Sequence, residues 1–166
     1  GVAAPPVPIG YPGTELVTIQ GEDAQLHGGL EFRDRHGWAH DSIVNWRNTD
    51  CTAAWNLDGL RPGRYEVSLM YSCPPVDVGS KIQIAIGAHR VAATISQAHD
   101  PQAPESQADG IRKVATKGPV WTKVWAPLTF PPLTLDPGPT KLIVSALEIS
   151  GRQDWELKEA RIRRID

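Results

Sequence analysis

Arg61-Pro62-Gly63-Arg64-Tyr65-Glu66-Val67-Ser68-Leu69-Met70-Tyr71 is the stretch that decides the fold. A Pro-Gly turn opens into strict alternation, with Tyr65, Val67, Leu69 and Tyr71 on one face and Glu66, Ser68 and Met70 on the other. Residues two apart share a face only on an extended chain, so this is a strand with one side toward a core. Ile82, Ile84 and Ile86 repeat the pattern. Outward from there, strands are predicted over 16–20, 30–32, 42–46, 52–57, 90–95, 124–130, 141–149 and 156–165. Turn signals such as Gly28-Gly29, Pro74-Pro75 and Asp136-Pro137-Gly138 separate them. With 15 glycines, 15 prolines and no helical stripe, the pattern predicts an all-β antiparallel β-sandwich of jelly-roll type. The polar stretch 99–118 reads as one long irregular loop.

A chain of 166 residues fits one domain with a core of its own. The segment AAPPVP at 3–8 reads as extended, so residues 1–13 are expected to be a linker or N-terminal extension and 14–166 the sandwich. No leader-like segment precedes Gly1, and the chain is expected to be an excised or C-terminal module. A formal charge of −2, with both signs scattered, lacks the basic stripe of a nucleic-acid binder. No apolar run approaches the roughly twenty residues that span a bilayer, so neither nucleic acid nor membrane is an expected partner. Cys51 and Cys73 lie symmetrically about the Pro62-Gly63 turn. That position allows one disulfide across a hairpin, and equally two buried free thiols.

Six tryptophans stand against three tyrosines and two phenylalanines. Trp38, Trp121, Trp125 and Trp155 have charged, Gly or Pro neighbours, where an indole is suited to stack on the C–H face of a sugar. Trp55 shares a strand face with Ala53 and Leu57 and reads as core; Trp46 closes an apolar strand and reads either way. Trp121 and Trp125 share a face on either side of Lys123. Trp38, Trp121 and Trp155 are therefore the expected ligand contacts. Asp154, Arg152, Arg47, Asn45 and His99 are the polar groups to bond hydroxyls in the ring plane. An anionic ligand would add Arg33 and Arg35 to Arg47 and Arg152.

Catalysis finds little support. Asp34, His36, His40 and Asp41 have spacings that converge on a metal only on a helix, and Gly37 with the extended pattern after it argues for a loop. No Gly-x-Ser-x-Gly elbow is present. Cys73-Pro74-Pro75-Val76-Asp77 lacks the Ser and Arg of the sulfatase nucleophile motif that it superficially resembles. Carboxylates are plentiful, but no pair is singled out by position.

Ile19-Gln20-Gly21-Glu22-Asp23-Ala24 resembles the opening strand of the jelly-roll carbohydrate-binding modules of families six and thirty-five, and residues 61–71 are similar to their central Gly-x-Tyr strand. A closer resemblance is to the β-sandwich appended C-terminally to many secreted bacterial arylsulfatases. It is carried by Val7-Pro8-Ile9-Gly10-Tyr11-Pro12, Ile43-Val44-Asn45-Trp46, Tyr71-Ser72-Cys73-Pro74, Ala98-His99-Asp100-Pro101 and Val124-Trp125-Ala126-Pro127-Leu128. The resemblance implies a non-catalytic domain, exported with a parent catalytic domain and binding a polysaccharide or oligosaccharide. Its rival is a structural domain packed on a sulfatase body without touching sugar. In the binding modules the sugar site lies in loops at one end of the sandwich, the loop before the last strand included; Trp155 and Asp154 match that region, and Trp38 and Trp121 join it. No cofactor is implied except a structural calcium between acids of the first and last strands. Here Gln20 replaces one acid and Lys158 falls near another, which leaves Glu22 as the remaining metal candidate or as a partner for Lys158.

Overall fold

The computed structural model describes residues 7–33, 41–100, 111–115 and 119–165, leaving aside the side chains of residues 7, 8, 58, 59, 111–115 and 119–123. The strands are β1 (Val7–Pro8), β2 (Leu16–Gln20), β3 (Gln25–His27), β4 (Glu31–Phe32), β5 (Ile43–Val44), β6 (Thr52–Leu60), β7 (Gly63–Ser72), β8 (Lys81–Ile86), β9 (His89–Thr94), β10 (Ile111–Ala115), β11 (Pro119–Lys123), β12 (Ala126–Thr129), β13 (Leu133–Leu135), β14 (Gly138–Glu148) and β15 (Glu156–Arg164). One sheet runs β1-β6-β14-β8-β9, with β3 also on β6; the other runs β12-β7-β15-β5-β4, with β13 also on β7 and β2 also on β15. Among the described residues every strand pairing is antiparallel except that of β1 with β6. The chain is an antiparallel β-sandwich with the jelly-roll architecture that the alternation predicts.

Two layers are needed because each strand has one apolar face. Ile82, Ile84 and Ile86 of β8 and Leu142 and Val144 of β14 meet Val67, Leu69, Leu157 and Ile162 of the other sheet in a single core. Each such side chain contributes roughly 1.5–3 kcal/mol relative to exposure.

Two expectations change. The Pro62-Gly63 turn does not close a hairpin: β6 and β7 are consecutive but lie in different sheets, so the turn carries the chain across the sandwich. Cys51 and Cys73 are accordingly separate, buried and free. Cys51 Sγ donates to the Gly28 carbonyl at 3.1 Å and Cys73 Sγ to that of Pro74 at 3.5 Å. The stretch 99–118 is not all irregular, because β10 pairs with β11 as a hairpin of its own. Residues 7–9, ahead of the expected boundary at residue 14, lie against the sandwich. Val7 and Pro8 pair with Leu57 and Asp58, and Ile9 is fully buried with its carbonyl accepting from Arg61 N at 3.1 Å.

One irregularity positions a functional group. Against β7, Leu157 pairs with Tyr71 and Glu159 with Met70, which leaves Lys158 as the extra residue of a β-bulge. Leu157 and Lys158 are therefore both buried, and the inward phase resumes at Ala160 and Ile162.

Candidate functional site

β5 and β7 end, and β12 and β15 begin, at the same end of the second sheet, as the antiparallel registers Ala126–Tyr71, Leu157–Tyr71 and Leu157–Ile43 require. Residues 45–51, 73–80, 95–100, 124–125 and 149–155 form the loops of that end. Arg47, His99, Arg152 and Asp154 thus come to one end of the fold. Arg47, Arg152 and Asp154 are exposed there, and His99 is half-buried.

Asp77 organises this end, although nothing in the sequence singles it out for that role. It is fully buried, and its carboxylate accepts three backbone N–H groups. Oδ1 accepts from Arg152 and, at 3.0 Å, from Gln153; Oδ2 accepts from Asp154 at 2.8 Å. Successive N–H groups converge on one carboxylate because Gly151 and Gln153 take positive φ, +76° and +67°. A side chain at Gly151 would run into the Val76 carbonyl and the Asp77 carboxylate, so glycine is needed there. The result is a fixed turn from which Arg152 and Asp154 project into water.

The tryptophans divide differently from expectation. Trp155 is 1% exposed and stacks on fully buried Trp46, with centroids 4.6 Å apart and planes 21° from parallel. It is corrected from a ligand contact to a core residue. Trp155 is two residues before Leu157 and shares its inward phase, and that outweighs the polar neighbours Arg152, Gln153 and Asp154. Trp46 Nε1 donates to the Ile43 carbonyl at 3.2 Å, and Trp55 is core, donating to the Gln20 carbonyl at 2.9 Å. The Trp46–Trp155 stack joins the loop that carries Arg47 to the loop that carries Arg152 and Asp154. Trp38 lies outside the described residues. Trp121 lies on β11 opposite Lys113, and its side chain is outside the description. The zinc candidates Asp34, His36 and His40 are likewise outside it.

Among the tryptophans whose side chains are described, Trp125 is the one that is not buried. It is half-buried, beside exposed Val124 and immediately before β12. His99 fixes that segment: its backbone exchanges hydrogen bonds with Cys73 at 2.7 and 2.9 Å, and its Nε2 lies 2.6 Å from the Val124 carbonyl. That contact makes Nε2 the protonated nitrogen, so His99 positions the segment with its ring. The sequence signal for Trp125 is its place at a loop-to-strand junction before Ala126-Pro127. Two strand spacings, roughly 10 Å, separate the start of β12 from that of β15, a width suited to a sugar or two.

Other polar groups here are committed internally. Arg33 Nη1 contacts both oxygens of Glu156 at 3.0 and 2.9 Å, and Ser42 Oγ donates to Glu156 at 2.7 Å. Asn45 Nδ2 donates to Glu31 at 2.9 Å. Beside them a shallow groove of about 390 Å³ is lined by Leu26, Leu30, Glu31 and Phe32.

Among the described residues, Glu22 brings one side-chain carboxylate to this joint, whereas a calcium ion takes six to eight oxygens. Glu22 Oε2 is buried without a hydrogen-bond partner, and the Gln20 carbonyl is taken by Trp55. Lys158 is 6% exposed and donates to the Asp41 carbonyl at 3.4 Å. Burial lowers the Lys158 pKa, and the carboxylates of Glu22, Glu159 and Asp41 oppose that shift. Among the described residues no three His, Cys, Asp or Glu side chains converge.

Neither a family profile nor a curated sequence matches the chain. Solved structures do. The chain is similar to a family 35 carbohydrate-binding module of Clostridium thermocellum, with a TM-score of 0.61 at 15% identity over 90% of this chain and 98% of that one. It is also similar to a GH26-CBM35 β-(1,4)-mannanase of Podospora anserina, with a TM-score of 0.60 at 10% identity over 91% of this chain and 28% of that one. The mosquito-larvicidal Cry4Aa toxin of Bacillus thuringiensis matches with a TM-score of 0.61 at 10% identity, over 91% of this chain and 24% of that one. At such identities the likeness establishes the fold, which these proteins share whatever they do.

Proposed function

We propose that this chain is a non-catalytic carbohydrate-binding module, whose ligand lies across the loop end between the Val124–Trp125 segment and the turn 150–154. The observation that supports this most directly is the Asp77 turn. A fully buried carboxylate spends its hydrogen bonds on holding Arg152 and Asp154 outward, at the same end as the half-exposed Trp125. A preformed turn with charged groups beside an aromatic ring suits sugar recognition, because little ordering is left for binding to impose. Arg47 and Arg152 favour a glycan bearing carboxylate or sulfate. Binding would hold an exported parent enzyme, a sulfatase or another carbohydrate-active enzyme, on its polymer by raising local concentration.

Three exposed apolar side chains favour a second reading. Val76 (64% exposed), Val124 (38%) and Leu147 (43%) belong to this end and suit packing on a catalytic body without any sugar. Affinity electrophoresis against a panel of neutral, uronic and sulfated polysaccharides decides between the readings. Retardation by one class, weakened about tenfold or more in Trp125→Ala and in Asp154→Ala with unchanged melting, is the expected result; one decade corresponds to about 1.4 kcal/mol. No retardation by any glycan favours the structural domain.

A further inference from the structure

We propose that Lys158 is a built-in cation: its ammonium occupies the joint between the first and last strands, neutralises Glu22, and makes that joint independent of divalent metal. The bulge is what delivers it. On one edge of β15, Leu157 pairs with β5 whereas Glu159 through Arg163 pair with β2, so Lys158 falls where one neighbour gives way to the other. A regular strand would send residue 158 to the face opposite Leu157; the extra residue turns the lysine stem into this gap.

The walls of the gap carry negative charge and carbonyl oxygen. On one side is the 3-10 turn Gly21–Asp23, packed so tightly that a Cβ on Gly21 would lie 2.6 Å from the Lys158 carbonyl. Its Glu22 has a buried oxygen without a hydrogen-bond partner. On the other side the Asp41 carbonyl accepts from Lys158 Nζ at 3.4 Å, and Asp41 is itself buried. A half-buried carboxylate with one oxygen withdrawn from water is stabilised by a compensating charge, and the one that the fold brings is the ammonium, acting across the gap rather than through a hydrogen bond to Glu22. A lysine reaches the position on a flexible four-carbon stem and supplies one charge, where calcium would need several more oxygens.

The test follows thermal unfolding of the whole chain by circular dichroism in EDTA and in calcium chloride, with calorimetric titration of calcium alongside. The expected result is one melting temperature in both solutions and no saturable heat. Lys158→Met should lower Tm by roughly 2–5 °C, because it leaves the half-buried Glu22 charge uncompensated. Glu22→Gln should cost less, and E22Q/K158M should melt above K158M, since the pair is removed together. If K158M does not fold, folding of the double variant is the supporting result. Saturable calcium binding that raises the Tm of the unmodified chain, or a double variant that melts at or below K158M, overturns the proposal.

Discussion

Asp77, fully buried, and Glu22, half-buried with one oxygen out of reach of water, are carboxylates beside the last strand, and the chain stabilises them by different means. Asp77 is surrounded by backbone donors from Arg152, Gln153 and Asp154. Glu22 is half-buried and keeps one oxygen unpartnered, with the Lys158 ammonium as the nearby opposite charge that opposes the effect of burial. Hydrogen bonds from successive amides are directional, so they fix the path of the turn to within a few tenths of an ångström. An ammonium on a flexible stem balances charge but leaves the path to the strand pairing. The rigid device stands under the loop that presents Arg152 and Asp154, and the forgiving one stands where two strands already hold each other. Precision is placed where recognition would need it.

Breaking the rigid joint should have the largest consequence. Trp155→Ala removes a buried ring and its stack on Trp46, and should cost about 3–5 kcal/mol, or about 10 °C of Tm, in thermal or urea unfolding. Asp77→Ala strips the acceptor from three amides and should cost about 2–4 kcal/mol. Asp77→Asn should recover only part, because its amide nitrogen must face an N–H donor. Glu22→Gln should cost about 1 kcal/mol or less, since it removes a charge and no directional contact. Equal losses for Asp77→Ala and Glu22→Gln would remove the contrast between the joints.

The strands were legible because period-two alternation reports burial directly: Tyr65 to Tyr71 and Ile82 to Ile86 lie inward as written. The crossing of β6 to β7 was not, because Pro62-Gly63 describes a reversal of the chain and carries no information about which sheet receives it. The neighbours of Trp155 point the wrong way. Arg152, Gln153 and Asp154 mark a loop correctly, yet the ring obeys the phase of Leu157 behind it. The role of Asp77 has no local sequence signal because its partners lie 75 to 77 residues away. Lys158 was legible as a substitute for an acid, while the bulge that buries it was not, since a single inserted residue looks like any other in a strand.

Cys73 gives the finest probe of the contrast, because it is buried beside the Asp77 joint and far in sequence from Glu22. Burial pushes its thiol from 9.0 up to about 12, and the charges of Asp77 and Asp100 add to the shift. Since the folded value is raised, the unfolded chain loses its proton first. Stability is complete below pH 9, falls as pH climbs toward 12, and does so by at most about 1.4 kcal/mol per pH unit. Tyr71 and Tyr65, raised chiefly by burial, act in the same direction. Cys73→Ala should therefore flatten the decline of Tm between pH 9 and 11. In a Cys51→Ala background at pH 8, a thiol reagent should modify Cys73 slowly, at the rate of local opening. Asp77→Ala should speed that modification severalfold, and Glu22→Gln should leave it unchanged. If both variants accelerate it equally, the two joints open as one unit and the mechanical distinction between them is lost.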